Sequence, residues 1–350
     1  MALSGTGTPH NPAGGELPMA RLQAWLAANV PGTAPAASAR LVTGGRSNLT
    51  YVISCADGTR IVLRRPPAGR WDAGAHDVLR EHRILNALHQ TSVPVPAPLG
   101  ACDDEVVIGA PFYVMEHVEG EVLDSELQAG TYLPWQRWQL GMELIEVMAR
   151  LHALSPGEHG LGDLSPPGVY AERHLRRWSR QWDAQATRDL PAVREAVRRL
   201  QAAVPGAAER ALVHHDYRLG NVITGGGEIR AVLDWELAAL GDPAADLGYL
   251  GVRMAVPAAA LGPPGEPLRL SGFPSFDQMV ERYEHVTGRP VRGLGFHRAL
   301  AALRWTVIAE GIYLRFRQGV MGSQEADLGF LRDRVEILAE FTLHCASSRL

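Results

Sequence analysis

The chain of 350 residues contains no lysine; all 34 of its basic residues are arginine. That absence excludes a GxxxxGK[ST] phosphate loop, a lysine Schiff base and a lysine general base. Work that elsewhere falls to lysine must here fall to arginine, which stays charged and cannot shuttle protons. Cysteine is nearly as scarce. Cys55, Cys102 and Cys345 are far apart, odd in number and form no CxxC pair. Neither a disulfide framework nor a cysteine zinc site is expected, and a reducing cytoplasm is. No apolar run reaches the ~18–20 residues of a membrane-spanning helix. The opening MALSGTGTPHNPAGGELP has no basic n-region and no apolar core, so no secretory signal is expected. A basic excess is missing too: 34 basic against 38 acidic residues give a net charge of −4, which speaks against a nucleic-acid partner.

What is present suits a globular protein. A hydrophobic fraction of 46% with 21% charged residues supplies a core, and the length suits two domains at roughly 100–200 residues each. Residues 1–17, rich in Gly, Pro, Ala and Thr, read as a frayed tail. Arg21 to Val30 reads as a short amphipathic helix, followed by a linker, PGTAPAASA. Leu49 to Ser54 and Arg60 to Arg64 alternate around an ADG turn and predict a hairpin. His76 to His89 has helical spacing, whereas Val106 to Ile108 and Phe112 to Met115 read as strands.

After Gly120 the pattern turns helical, with segments near Trp135–Leu154, Tyr170–Ala184 and Pro191–Val204. Short strand-like islands follow at Ala211–Val213, Asn221–Ile223 and Ile229–Leu233. Asp242-Pro243 predicts a helix start with Asp as N-cap and Pro at the first helical position. A Pro/Gly-rich loop precedes three more helices near Phe276–Val286, Phe296–Gln318 and Gln324–Ala346. The expectation is α+β: a small sheet-bearing lobe over 18–117, then a larger helical lobe over 118–350.

The strongest chemical signal is VHHDYRLGNV, with Asp216 and Asn221 five residues apart between short strands. Asp234 follows at the end of an apolar strand, AVLDWE. Phosphoryl transfer needs these parts: a carboxylate to orient or deprotonate an attacking hydroxyl, and oxygen ligands for Mg²⁺. Zinc hydrolysis is a second reading of His214, His215, Asp216 and Asp234. Adjacent histidines in an extended strand point to opposite faces, so at most one could share a metal with Asp216.

The stretches GGRSNLTYVI, VLRRPP, LREHRIL, FYVMEHVEG, GLGDLSPPGVYAERHLRRWSRQW, LVHHDYRLGNVI and VLDWELAALGDPAADLGYL together resemble the aminoglycoside phosphotransferase/choline kinase family. In particular they are similar to the subgroup whose members occur fused to acyl-CoA dehydrogenases. The resemblance implies a bilobal protein-kinase-like fold, and a cytoplasmic enzyme moving the γ-phosphoryl group of ATP, with Mg²⁺, to the hydroxyl of a small molecule. It implies Asp216 as catalytic base and Asn221 and Asp234 as metal ligands. His214 and Asp246 would brace the catalytic loop. Gly44, Gly45, Ser47 and Asn48 would cover the phosphates, and Met115 to Val118, with Glu116 and Val118, would take the adenine edge.

Two positions depart from the family pattern. The phosphate-gripping lysine is replaced by arginine in VLRRPP. Alternation puts Val62 and Arg64 on one strand face, so Arg64 is expected to pair with Glu81 and hold phosphates, with Arg65 at the surface. The usual small residue before the base is His215, which belongs either to substrate binding or to packing. Arg218 stands where protein kinases carry a lysine on the transferring phosphoryl group; its alternative is a surface arginine. The arginines of HLRRWSRQW form a solvated face, or also an anionic-substrate site. A pseudokinase, binding nucleotide without turnover, is the alternative that the lost lysine suggests. Residues 251–350 hold 12 arginines against 10 acids, which favours a neutral or anionic alcohol, such as a hydroxyacyl-CoA, over a polycationic aminoglycoside.

Overall fold

Alternation in the first hundred residues builds an antiparallel sheet, and each helix beside it buries one apolar stripe. A computed structural model describes residues 17–42, 48–67, 77–166, 168–206, 210–261, 265–320 and 326–348. The tail expected over 1–17 lies outside them, except for Leu17, which is buried. By backbone contacts the chain divides into two units, Met1–Glu119 with Asp234–Glu236, and Gly120–Leu233 with Leu237–Leu350.

The first unit runs α1 (Met19–Asn29), β1 (Ala36–Leu41), β2 (Leu49–Cys55), β3 (Arg60–Arg65), α2 (Val78–Leu88), β4 (Pro98–Cys102), α3 (Glu105–Ile108) and β5 (Phe112–Glu116). Its strands pair antiparallel in the order β1-β2-β3-β5-β4. Ile61 and Leu63 of β3 pack among Leu22 and Leu26 of α1 together with Ile53, Phe112 and Val114. Val62 and Arg64 take the opposite face. The Asp77 carboxylate caps α2 by accepting from the Arg80 N–H at 2.9 Å. The buried stripe of α2 is Val78, Glu81, Ile84, Leu85 and Leu88, a carboxylate among hydrocarbons.

Three elements of the first unit differ from the sequence reading. Val106–Ile108 is not a strand but belongs to the single helical turn α3. Asp104 caps it from the Val106 N–H at 2.9 Å, and Gly109 closes it at φ 83°. Cap and glycine outweigh the three β-branched residues between them. β1, read as a linker, and β4, read as a Pro-punctuated stretch, are the two sheet edges. Edge strands tolerate small residues and an initial proline, because half of their hydrogen-bonding groups face no partner.

The second unit contains α4 (Glu126–Ala129), α5 (Pro134–His152), α6 (Tyr170–Gln185), α7 (Pro191–Ala202), β6 (Ala211–Val213), β7 (Val222–Gly225), β8 (Glu228–Val232), β9 (Ala239–Gly241), α8 (Ala244–Ala255), α9 (Ala258–Leu261), α10 (Phe276–Thr287), α11 (Leu294–Arg317) and α12 (Leu328–Ser347). β6 pairs with β9 and β7 with β8, both antiparallel. Leu175, Val193, Leu200, Val252, Phe296, Leu303 and Val335 form the core where α6, α7, α8, α11 and α12 meet. The start of α8 differs from the expectation by one residue: the helix opens at Ala244 with Pro243 as its N-cap, and the Asp242 carboxylate, one place earlier, accepts from the Ala244 N–H at 2.9 Å. The long loop before α10 carries α9 and a 3-10 turn at Pro267–Arg269. The last helix opens at Leu328 on an Asp327 cap, and the expected start at Gln324 lies outside the described residues. Among the described residues no helix is long and apolar enough to cross a membrane.

Candidate active site

In the first unit, the strand face opposite α1 carries a knot of charge. Arg64 Nε lies 3.2 Å from Glu81 Oε2, and its Nη2 lies 3.0 Å from Asp234 Oδ1. Glu236 stands 4.0 Å from the same nitrogen. Glu81 accepts further from Asn48 Nδ2 at 2.7 Å and from the Tyr113 hydroxyl at 3.0 Å. All these partners are donors, which is what an ionised carboxylate requires. Burial pushes the Glu81 carboxyl up and Arg64 pulls it back. Burial also disfavours charge on Arg64, but Glu81, Tyr113 and Asp234 outweigh it and raise the guanidinium pKa.

Arg65 is not at the surface. It is 5% exposed, with Nη1 donating to the Ile108 carbonyl at 3.1 Å and Nε to that of Pro66 at 3.2 Å. The alternation is as read, but the face that Arg65 shares with Ile61 and Leu63 is covered by helices instead of water. Arg65→Ala therefore strands two carbonyls. It is expected to cost about 1–3 kcal/mol in chemical denaturation and to leave the nucleotide affinity of the folded protein unchanged. An unshifted denaturation midpoint would contradict this.

In the second unit, β6 runs directly into His214 to Asn221. Asp246, fully buried at the start of α8, clamps that backbone: Oδ2 accepts from the His214 N–H and Oδ1 from the His215 N–H, each at 2.7 Å. His152 Nε2 adds a third bond to Oδ2 at 3.1 Å, and its Nδ1 reaches the Tyr283 hydroxyl at 2.8 Å. Burial disfavours the Asp246 charge, yet the His152 hydrogen bond and the surrounding imidazoles hold its pKa at about 2. His214 Nε2 donates to the Leu233 carbonyl at 2.8 Å, and its Nδ1 accepts from the Asp216 N–H at 3.3 Å. Both ring nitrogens are occupied, which leaves no lone pair for zinc and removes His214 from the hydrolase reading.

The Asp216 carboxylate is gripped from both sides. Asn221 Nδ2 donates to Oδ2 and to the Asp216 carbonyl, both at 2.8 Å. The Tyr249 hydroxyl donates to Oδ1. Burial, then Asp216, pushes the Tyr249 phenol up to about 12. Arg218 places Nε 3.8 Å from Asp216 Oδ2 while Nη1 pairs with Asp124. A Cβ at Gly220 would meet the ends of the Arg218 and Asp124 side chains, so a larger residue there would push that pair aside. Among the described residues, His215 (φ 68°) and Asp234 (φ 64°) are the non-glycine residues in the left-handed region. Such backbone costs about 1–3 kcal/mol and collects at working sites.

His215 stacks on His174 at 5.2 Å, and His174 on Tyr170 at 4.2 Å. Burial drives the pKa of His215 down to about 3 and that of His174 to about 2. The folded protein thus refuses protons that the unfolded chain binds below about pH 6.5. Stability is expected to be full above that pH, to decline as the pH falls through 6 and 5, and to fall faster below about 4 as Asp246 adds its share. Melting temperatures between pH 8 and 4 check this. His215→Asn, which keeps a residue tolerant of the left-handed backbone, should flatten the decline; an invariant melting temperature between pH 7 and 5 would refute it.

Gly44, Gly45 and Ser47 lie outside the described residues. Glu116 closes β5 with its side chain on the Ala97 N–H at 3.2 Å, and Val118 lies past the last ladder pair. Tyr249, His152 and Asp124 are additions that the structure makes to the site. Tyr249 has a local signal, standing three residues after Asp246 on the same helix face. The others come from segments distant in sequence, where no local pattern marks them.

The profile of the APH phosphotransferase enzyme family matches residues 38–292. The chain belongs to this family. The APH chain is 35% identical over 314 residues to acyl-CoA dehydrogenase family member 11 of Gallus gallus, covering 85% of the chain and 40% of that protein. It spans 27% of the length of acyl-CoA dehydrogenase family member 10 of Mus musculus, at 33% identity over 288 residues. A solved structure from Ralstonia eutropha JMP134, provisionally described as an aminoglycoside phosphotransferase, has TM-score 0.81 and 32% identity over 95% of this chain and 98% of that one. The GDP complex of wild-type aminoglycoside 2'-phosphotransferase-IIIa has TM-score 0.60 at 17% identity, over 93% and 99%. The fold is kinase-like, with a small antiparallel-sheet unit and a larger helical one.

Proposed function

We propose that this APH-family protein is an ATP- and Mg²⁺-dependent phosphotransferase acting on the hydroxyl of a small neutral or anionic molecule. The observation that carries the reading is the Asp216 carboxylate, ionically bare of a partner closer than Arg218 and held by Asn221 and Tyr249 on a backbone clamped by Asp246. Each carboxylate oxygen keeps a second lone pair, so Asp216 can still accept the acceptor's proton as the γ-phosphoryl group moves to that oxygen.

The donor set suits a hard cation. Asn221 spends its Nδ2 on Asp216, so its Oδ1 is the atom to offer, and Asp234 gives Arg64 one carboxylate oxygen and has a second. Oxygen ligands few in number match Mg²⁺, which keeps several waters and, when bound, neutralises phosphate charge. Arg64 replaces the phosphate-gripping lysine, and its planar fork suits phosphate oxygens. Asn48 faces the phosphates, Glu116 and Val118 take the adenine edge, and Arg218 serves the transferring group. The GDP bound by the aminoglycoside 2'-phosphotransferase supports a nucleotide site. The acyl-CoA dehydrogenase relatives and the arginine-rich balance after residue 250 support a hydroxyacyl-CoA or similar alcohol as acceptor.

A single-turnover assay with γ-labelled ATP and Mg²⁺, run with hydroxyacyl-CoAs, choline, sugars and aminoglycosides, tests the reading. Acceptor-dependent loss of the γ-phosphate is expected. Tight nucleotide binding with no turnover on any acceptor would favour a pseudokinase instead.

A further inference from the structure

Strand pairing puts Arg64 of β3 directly opposite Tyr113 of β5. Residues paired across two strands rise from the same face of a sheet, so both side chains reach the carboxylate that α2 buries there. Tyr113 is 2% exposed and Glu81 1%. The Tyr113 hydroxyl donates to Glu81 Oε2 at 3.0 Å, and Asn48 Nδ2 donates to Oε1 at 2.7 Å. Burial, then the Glu81 charge, pushes the phenol well above its ordinary pKa, so it stays a donor at any working pH.

Those two bonds decide how Arg64 is spent. An ionised carboxylate offers about four lone-pair sites, and a guanidinium has more N–H groups than that. Glu81 fills one site on each oxygen without Arg64. The guanidinium lies loosely against the remainder, with Nε 3.2 Å from Oε2 and Nη2 3.5 Å from Oε1. The same Nη2 stands closer to Asp234 Oδ1, at 3.0 Å. Nη1 has no partner among the described residues, and the side chain is 11% exposed. The fork thus leans away from its buried carboxylate. Without the Tyr113 hydroxyl, Glu81 Oε2 keeps the guanidinium as its donor. Arg64 would then close on Glu81 as a tight two-bond pair, the strong arrangement of arginine with carboxylate, and Nη2 would leave Asp234.

We infer that Tyr113 is a positioning residue for the nucleotide phosphates: by satisfying Glu81 it keeps the Arg64 fork turned towards Asp234, with Nη1 left for a phosphate oxygen. A lysine has one nitrogen, which serves carboxylate and phosphate together, whereas arginine divides the work among its nitrogens. Tyr113 sets that division. The inference rests on the nucleotide site of the phosphotransferase reading and adds no step to the transfer itself.

Calorimetric titration with a nucleoside diphosphate and with its nucleoside tests this, because only the diphosphate carries the group that Arg64 would hold. The probes are ADP and adenosine, each with Mg²⁺, with GDP and guanosine run in parallel. Tyr113→Phe keeps the buried ring and removes only the donor. It is expected to weaken the diphosphate roughly 10-fold, the scale of one hydrogen bond to a charged group, and the nucleoside by less than about twofold. Tyr113 acts through Glu81, so the same change made in a Glu81→Gln background should alter the diphosphate-to-nucleoside ratio by less than about twofold. The amide there has no charge to draw the fork in. Melting temperatures verify that each variant is folded where it is titrated. Equal losses of diphosphate and nucleoside would mark a defect of the fold, and an undiminished 10-fold loss in the Glu81→Gln background would route the effect elsewhere. Either result overturns the inference. A wild type that binds the diphosphates while Tyr113→Phe leaves the ratio unchanged overturns the inference alone, whereas a wild type that binds neither diphosphate removes the nucleotide reading and the inference with it.

Discussion

Asp216→Asn is expected to slow phosphoryl transfer by roughly 10²–10⁴, with Mg-ATP affinity within a few-fold of the wild type. The amide keeps the shape of the carboxylate and loses its basicity; its NH2 takes the place of the oxygen that faces Tyr249, whose hydroxyl can turn and accept where it now donates. Asn221 stays anchored through its second bond, to the Asp216 carbonyl at 2.8 Å, and Asp246 still holds the loop by the His214 and His215 N–H groups. The variant should therefore melt near the wild-type temperature, so that lost rate reports lost chemistry. Single-turnover rates and a nucleotide titration on the same preparation check both halves. Wild-type turnover by this variant would show that Asp216 is not the base. A fall in nucleotide affinity matching the fall in rate would place the residue with the metal ligands instead.

Arg64→Ala should carry the largest combined loss. Glu81 is 1% exposed, and without the guanidinium its charge keeps only Asn48 and Tyr113 as donors. Stranding a buried carboxylate in this way costs on the order of 3–5 kcal/mol. Asp234 loses the same partner, so nucleotide affinity should fall together with stability. Arg64→Lys should retain substantial activity, because one ammonium can still reach Glu81 and a phosphate, though not as a planar fork. Denaturation midpoints and Mg-ATP titrations on Arg64→Ala, Arg64→Lys and Arg65→Ala distinguish the two neighbours. Both alanine variants lose stability, and only the one at Arg64 loses nucleotide. The reverse pattern would mean that the strand register assigned to β3 is wrong by one residue.

The missing lysine, the Asp216–Asn221–Asp234 spacing and the alternation of VLRR are local properties, and the sequence was sufficient to read them. Alternation separates Arg64 from Arg65 whatever packs on the strand, because side chains on a pleated strand must point to opposite sides. The i, i+3 relation of Asp246 and Tyr249 is equally local. Where the other face of β3 goes is not local. Only the packing of Ile61 and Leu63 against α1, and the reach of Arg65 to the Ile108 carbonyl, decide that this arginine is buried. In the same way Val106–Ile108 carries strand-forming residues, and a cap and a closing glycine on either side turn it into a helix. The bracing of the catalytic loop by His152, and the pairing of Arg64 with Asp234, join segments far apart in the chain. Contacts of that kind depend on which helix faces meet, and side-chain identity along one segment carries no record of its distant neighbours.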